Sequence, residues 1–280
     1  MNKIFIVGCP RSGTTLLQSL LASHSHIVSF PETHLFSRTV SINPLVQAFT
    51  VYRKKHYETV NRILHDFGVD SIIEPQQQIP IFRTKQWVKY LLPQLDKIGE
   101  AYRSGHESFL LEKTPRHLHF IDFLHQADPS ACFIHLIRNG EDVVASLSEA
   151  TANHPGDWAG KRSVKKSVFW WNRSIQLSEK YIGKNRNIHI RYENLVDETE
   201  AVLNYLCDEI GIHYEKNMTE QYHNVAASLI NQDEAWKAKN TRKEISTTDK
   251  FAGLPKNVRQ TIQKSLLNFD YRRIDINQFK

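Results

Sequence analysis

The 280-residue sequence has few cysteines, no long hydrophobic run and no block of basic residues, and each shortage excludes a class of protein. Its three cysteines, Cys9, Cys132 and Cys207, are far apart and odd in number, so they do not form a disulfide framework. No C-x-x-C or H-x-x-x-H pair indicates a metal site. No apolar run reaches the ~20 residues that span a bilayer. Lys and Arg are scattered despite a net charge of +6, which argues against a nucleic-acid-binding tail.

What remains is the composition of an ordinary soluble protein, with 40% hydrophobic and 24% charged residues. The first predicted strand begins by residue 4, which leaves no room for a signal peptide. Together with the few cysteines, this predicts a cytoplasmic protein. We expect neither a membrane nor a nucleic acid as its partner.

Short apolar runs alternate with helical patterns along the chain, which predicts an α/β fold with a central parallel sheet and helices on both faces. No linker divides residues 1–280, so we expect one domain. Residues 43–103 are predicted to be a helical excursion over the carboxyl edge of the sheet, and 231–280 a polar segment with a closing helix at 255–268. The predicted strands are 3–8, 27–30, 109–112, 132–137 and 188–191.

The first strand leads into the spacing of a phosphate-binding loop that lacks its lysine. Gly8, Gly13 and Thr15 match G-x-x-x-x-G-K-[ST], but Thr14 stands where the lysine should be, and Arg11 brings a cation into the middle of the loop. The missing lysine is the group that reaches the β- and γ-phosphates of a nucleoside triphosphate. The loop therefore predicts a nucleotide with one 5′-phosphate and a group other than a polyphosphate attached to it.

Each of the other predicted strands is followed by a polar residue at its carboxyl end: Glu32, Lys113, Arg138 and Tyr192. Ligands of open parallel sheets bind at that edge, and the amino end of a helix there favours an anion. Taken singly, each residue could be a surface charge, and Glu32 could cap a helix that begins near Thr33. Together with the loop from Arg11 to Thr15, they make five polar positions at one edge, which indicates a site.

Five segments of the chain resemble the sulfotransferases that use 3′-phosphoadenosine-5′-phosphosulfate (PAPS), and most closely their bacterial and tyrosylprotein-sulfotransferase-like branch. The first and fourth segments carry V-G-C-P-R-S-G-T-T-L and F-I-H-L-I-R-N-G-E-D-V-V-A-S. The resemblance extends from residue 4 to about 212. The matching segments are 7–16, 30–36, 112–115, 133–146 and 190–195.

The resemblance implies a role for each residue of the predicted edge. Glu32 corresponds to the base that takes the acceptor proton, and Lys113 neutralises charge at the transferring group together with Arg11. The nucleotide contacts fall into three groups. The loop residues Pro10, Arg11, Ser12, Gly13, Thr14 and Thr15 bind the 5′-phosphosulfate, Arg138 and Ser146 bind the 3′-phosphate, and Tyr192 helps to hold the nucleotide.

Two departures from the family pattern affect this assignment. Asn139 replaces the common Asp and is expected to serve the turn. The Gly-x-x-Gly-x-x-Lys loop of the cytosolic small-molecule enzymes is not recognisable, and Lys250 is the candidate to replace its phosphate contact.

The expected reaction is metal-free transfer of a sulfuryl group from PAPS to an acceptor hydroxyl or amine. Two alternatives stay open: a kinase-like phosphotransferase using the same loop, and a non-catalytic nucleotide-binding module. The sequence does not identify the acceptor, which could be a small molecule, a glycan or a peptide, nor the oligomeric state. Basic residues between 34 and 55 fit an anionic acceptor or a solvated surface equally well.

Overall fold

Five parallel strands form the centre of the protein in a computed structural model, which describes residues 1–49, 54–70, 72–73, 84–156, 158, 160–230 and 250–275. Their spatial order is β2-β3-β1-β4-β5, which places β1 in the middle. The predicted parallel sheet is confirmed, and each predicted strand end lies within one residue of the observed one. The strands are β1 (Asn2–Gly8), β2 (Ile27–Ser29), β3 (Phe109–Lys113), β4 (Cys132–Ile137) and β5 (Asn187–Arg191).

Both faces of the sheet are covered, which explains why the strands are almost continuously apolar. On one face Ile4 and Ile6 belong to an aliphatic cluster that includes Leu17 of the first helix. On the other face Phe5 stacks on Phe133 with ring centroids 5.3 Å apart. The protein therefore has the three-layer α/β/α architecture that the sequence predicts.

Helices connect the strands and continue beyond the last one. No helix among the described residues is long and apolar enough to cross a bilayer. The α-helices are α1 (Thr14–Ala22), α2 (Leu35–Thr39), α3 (Pro44–Phe49), α4 (Lys54–Asp66), α5 (Thr84–Tyr102), α6 (Ile121–Ala127), α7 (Gly140–Asn153), α8 (Val164–Glu179), α9 (Tyr192–Asp197), α10 (Thr199–Ile210), α11 (Asn217–Glu220), α12 (Tyr222–Ser228) and α13 (Lys256–Ser265), with 3₁₀ turns at Pro115–Phe120 and Tyr271–Ile274.

The stretch 43–103 is mainly helical where it is described, but its expected place over the carboxyl edge is wrong for α5. That helix packs on a face of the sheet, where a Cβ at Gly99 would lie 2.5 Å from the Leu110 side chain. Asp96 of α5 is 3.0 Å from Lys3 near the start of β1. The physical reason is the connection itself, because the chain must return from the carboxyl end of β2 to the amino end of β3. The polar segment 231–249 lies outside the described residues.

Candidate functional site

The loop between β1 and α1 is shaped by two glycines whose backbones have close neighbours. A Cβ at Gly8 would lie 2.6 Å from the carbonyl oxygen of Leu136 on β4. Gly13 has φ +90°, and a Cβ there would lie 2.3 Å from the Tyr192 ring. Gly13 is the N-cap residue of α1 and has no side chain with which to cap it. Its first N–H groups are therefore suited to an anion.

Beside this loop, the ends of β2 and β3 meet through an ion pair. Lys113 Nζ lies 2.6 Å from Glu32 Oε1 and 3.3 Å from Thr15 Oγ1. The Lys113 side chain is fully buried, and that of Glu32 is 9% exposed. The expectation that Glu32 and Lys113 share the loop's edge of the sheet is confirmed. Because β2 pairs with β3 and not with β1, Lys113 lies between the carboxylate and the loop.

The interpretation of Glu32 as a helix cap is wrong. Helix α2 begins at Leu35, and the hydroxyl of Thr33 accepts the hydrogen bond from the Leu35 N–H at 3.2 Å. The Glu32 carboxylate instead contacts Lys113, and its Oε2 lies 3.5 Å from His34 Nε2. Burial lowers the pKa of His34 to about 4, so its imidazole is neutral beside the carboxylate at physiological pH.

On the other side of the loop, Arg11 and Arg138 approach the amino end of α7. Arg11 Nε donates to Ser146 Oγ at 3.2 Å. The Arg138 guanidinium lies 4.4 Å from the centre of the Tyr192 ring and 3.5 Å from Asp142. Arg138 and Ser146, the two residues expected to bind the 3′-phosphate, thus have different partners: Ser146 contacts Arg11, whereas Arg138 reaches the loop through Tyr192, which packs on Gly13.

The start of α7 holds Arg138 in place. Asn139 caps this helix by accepting from the Glu141 N–H at 2.8 Å, so it serves the turn as expected. The carbonyl of Arg138 accepts from the Trp171 indole N–H at 3.1 Å.

The remaining predicted contacts lie around the same loop. Ser12 and Thr14 are buried, and Pro10 is half-buried. The Ser12 N–H donates to the Cys9 carbonyl at 3.2 Å and closes the turn. Lys250 forms an ion pair with Glu149 on α7, one turn beyond Ser146.

The electrostatics of this side suit a ligand with two anionic groups. Burial and the charge of Arg138 lower the pKa of Arg11, and Glu149 and Glu32 oppose that shift. The Arg138 Nε is buried and has no hydrogen-bond partner among the described residues. Two neighbouring cations and an unpartnered donor next to a phosphate-type loop fit a nucleotide with separate 5′ and 3′ phosphate groups.

Sequence reasoning gave no role to Glu112, which the structure places directly beneath the site. Its carboxylate is fully buried and accepts hydrogen bonds from Thr33, Thr114 and His117. A usable signal was available, since a charged residue inside an otherwise apolar, two-sided strand must be paired. The described residues contain no group of three or more His, Cys, Asp or Glu side chains arranged to hold a metal.

The fold and the lysine-free loop define a P-loop-type nucleotide-binding protein. A sequence model described as Sulfotransferase family matches residues 3–216. The chain therefore belongs to the sulfotransferase family, as the sequence predicts.

Known proteins similar to this chain agree with that assignment. Protein-tyrosine sulfotransferase 2 of Gallus gallus is 26% identical over 218 residues, covering 76% of this chain and 52% of the relative. The chain thus spans about half the length of that relative. The sulfotransferase domain of the Synechococcus PCC 7002 olefin synthase matches 94% of both chains with a TM-score of 0.58 and 22% identity. A mouse sulfotransferase solved with PAP matches 94% of this chain and 82% of its own, with a TM-score of 0.53 and 11% identity. These structures show the shared fold.

Proposed function

We propose that this protein transfers a sulfuryl group from PAPS to an acceptor hydroxyl or amine. The observation that carries the proposal is the contact of Lys113 with both Glu32 and Thr15, which links a carboxylate to the phosphate-type loop. Family membership supports the reaction class, and the mouse sulfotransferase bound to PAP, the desulfated nucleotide, supports the donor.

The proposed division of roles follows from where the groups lie. Glu32 removes the proton of the acceptor as its oxygen or nitrogen attacks sulfur. The bond from sulfur to the bridging phosphate oxygen breaks, and Arg11 and Lys113 neutralise the charge that develops on that oxygen. PAP leaves with that charge, and the sulfated acceptor is the second product. In such a transfer, positioning and electrostatics supply most of the rate enhancement.

The nucleotide contacts are proposed in the same way. The loop from Pro10 to Thr15 holds the 5′-phosphosulfate, Arg138 and Ser146 hold the 3′-phosphate, and Tyr192 supports Arg138 and the loop. Lys250 is proposed to stand near the 3′-phosphate, because its partner Glu149 lies one turn from Ser146. No specific contact favours the kinase-like alternative or the non-catalytic module.

A reducing, cytoplasmic location is also proposed. All three cysteines are buried and unpaired. Burial raises the pKa of Cys9, Cys132 and Cys207 to about 12, so their thiols are protonated and unreactive at neutral pH.

The test of the function is an acceptor screen with ³⁵S-labelled PAPS. The panel contains a tyrosine peptide, a neutral and an acidic oligosaccharide, a phenol and an amine, and the products are identified by mass spectrometry. We expect a sulfate adduct on at least one acceptor and equimolar PAP, with Glu32→Gln as the inactive control. Phosphoryl transfer from ATP with Mg²⁺, or tight PAP binding with no transfer to any acceptor, would contradict the proposal.

A further inference from the structure

Glu112 accepts hydrogen bonds from residues that follow β2 and β3, the two strands whose ends present Glu32 and Lys113. Its Oε1 accepts from Thr33 Oγ1 at 2.9 Å and from Thr114 Oγ1 at 2.7 Å. Its Oε2 lies 2.8 Å from His117 Nδ1. The three donors come from the segment after β2, the end of β3 and the 3₁₀ turn that follows. One buried carboxylate therefore joins three pieces of chain.

The two threonines also accept hydrogen bonds from the backbone that follows Glu32. While the Thr33 hydroxyl donates to Glu112, its oxygen accepts from the Leu35 N–H at 3.2 Å. The Thr114 hydroxyl accepts in the same way from the His34 N–H at 3.2 Å. Residues 33–35 are thereby fastened to the end of β3. His34 takes a left-handed conformation with φ +53°, which non-glycine residues adopt only where their surroundings enforce it.

His117, the third hydrogen-bond partner of Glu112, lies on the side away from the site. Rings of Phe5, Phe36 and Phe120 surround it, with that of Phe36 nearest at 4.9 Å between centroids. Its Nε2 is buried and has no hydrogen-bond partner among the described residues. The proton of the ring therefore belongs on Nδ1, where it is donated to the carboxylate.

The ionised form of Glu112 is the one these donors require. Burial raises the pKa of this carboxyl, but His117 and the hydroxyls of Thr114 and Thr33 outweigh burial and bring the pKa below its ordinary value. A fully buried charge is costly unless every lone pair has a suitable donor. Apolar side chains could make a purely structural contact at this place. We therefore take the buried charge as a device that fixes the positions of the strand ends through directional hydrogen bonds.

We propose that Glu112 is a positioning residue for the transfer reaction, acting through Thr33 and Thr114 to hold Glu32 against Lys113. The inference rests on the proposed role of Glu32 as the base. Glu32 is the neighbour of Thr33 in the chain, and Lys113 lies between Glu112 and Thr114. The network thus flanks both members of the 2.6 Å ion pair, and the partners of Glu112 described above lie outside the nucleotide loop.

Three variants separate positioning from stability. Thr33→Val keeps the side-chain shape and removes the hydroxyl, whereas Thr33→Ser keeps the hydroxyl. Thr39→Val is the matched control, since Thr39 is also buried and its hydroxyl donates to the Leu35 carbonyl at 2.7 Å and not to Glu112. We expect Thr33→Val to lower kcat by about 10-fold or more with unchanged PAP affinity, because the base loses its alignment. Thr33→Ser and Thr39→Val are expected to keep kcat within about 2-fold.

A double-mutant cycle with Glu32→Gln shows whether the effect passes through Glu32. If it does, Thr33→Val causes no further loss of kcat once Glu32 is replaced. An additive loss, or a Thr33→Val variant that only melts earlier and turns over normally, would overturn the proposal.

Crystal structures of Thr33→Val and Thr39→Val test the proposal independently of enzyme turnover. The Glu32–Lys113 distance is expected to lengthen beyond hydrogen-bond range in Thr33→Val alone, and an unchanged distance would also overturn the proposal. If Glu32→Gln turns over normally and the Glu32–Lys113 distance is longer in Thr33→Val, Glu32 is not the base. The positioning effect of the Glu112 network is then still supported.

Discussion

The two sides of β1 carry different chemistry at the same edge of the sheet. On the side of β2 and β3 lie a carboxylate and a lysine, Glu32 and Lys113, in a buried ion pair. On the side of β4 and β5 lie Arg138 and Tyr192, a cation stacked on a ring. Arg11 comes from the loop between them and contacts Ser146 on the second side. From this comparison we propose that one side performs the proton transfer and the other holds the nucleotide.

The largest effect is expected from Glu32→Gln, which removes the proposed base and keeps the shape of the side chain. We expect kcat to fall by about 10²–10⁴-fold, the usual contribution of a general base. PAP affinity should stay within about 2-fold, since the carboxylate contacts Lys113 and has no hydrogen-bond donor to offer a phosphate. Steady-state kinetics and calorimetric titration with PAP measure the two quantities. Normal turnover would show that the base lies elsewhere.

Arg11→Ala is expected to affect both sides, because Arg11 lies in the loop between them. Loss of a cation that touches the transferring group in the ground state and the transition state should lower kcat by about 10²-fold. The same change should weaken PAP binding by about 10-fold, since a charge-assisted hydrogen bond is lost. Kinetics and PAP titration on one preparation test this. A fall in kcat with unchanged PAP affinity would show that Arg11, like Glu32, affects the transfer step alone.

Arg138→Ala is expected to affect nucleotide binding almost alone. Its buried Nε has no hydrogen-bond partner among the described residues. Loss of a charge-assisted contact should weaken PAP binding by about 10–100-fold. At saturating PAPS, kcat should stay within about 3-fold. A large fall in kcat at saturation would contradict the separation of the two sides.

Acid should destabilise the protein through groups on both sides of β1. Burial lowers the pKa of His34, beside Glu32, and of His189, on β5, to about 4. The unfolded chain binds these protons near pH 6.5, so the free energy of unfolding is constant above that pH and falls as pH drops toward 4. His189, 8% exposed, accounts for up to about 3 kcal/mol of that loss. Urea titrations of the native protein and of His189→Gln across this pH range measure the fall in the free energy of unfolding. An equal fall in both proteins would contradict the contribution assigned to His189.

Much of this arrangement is predictable from sequence because buried parallel strands and loop glycines leave direct patterns. The strand of Ile4 to Val7 is apolar on both faces, and the topology then brings Glu32 and Lys113 to the edge beside Gly13. The Glu112 network is not predictable in this way, since hydrogen bonds between side chains 79 residues apart have no local pattern. The partner of Ser146 also depends on the three-dimensional path of Arg11, which has a left-handed backbone conformation.

The separation of the two sides is tested most directly by the preference for PAP over AMP, which requires neither an acceptor nor turnover. The ratio of the two dissociation constants is measured by calorimetry for the native protein, Glu32→Gln and Arg138→Ala. The account predicts that Glu32→Gln keeps the native preference and that Arg138→Ala brings the ratio close to one. A preference lost in Glu32→Gln, or retained in full by Arg138→Ala, would contradict it.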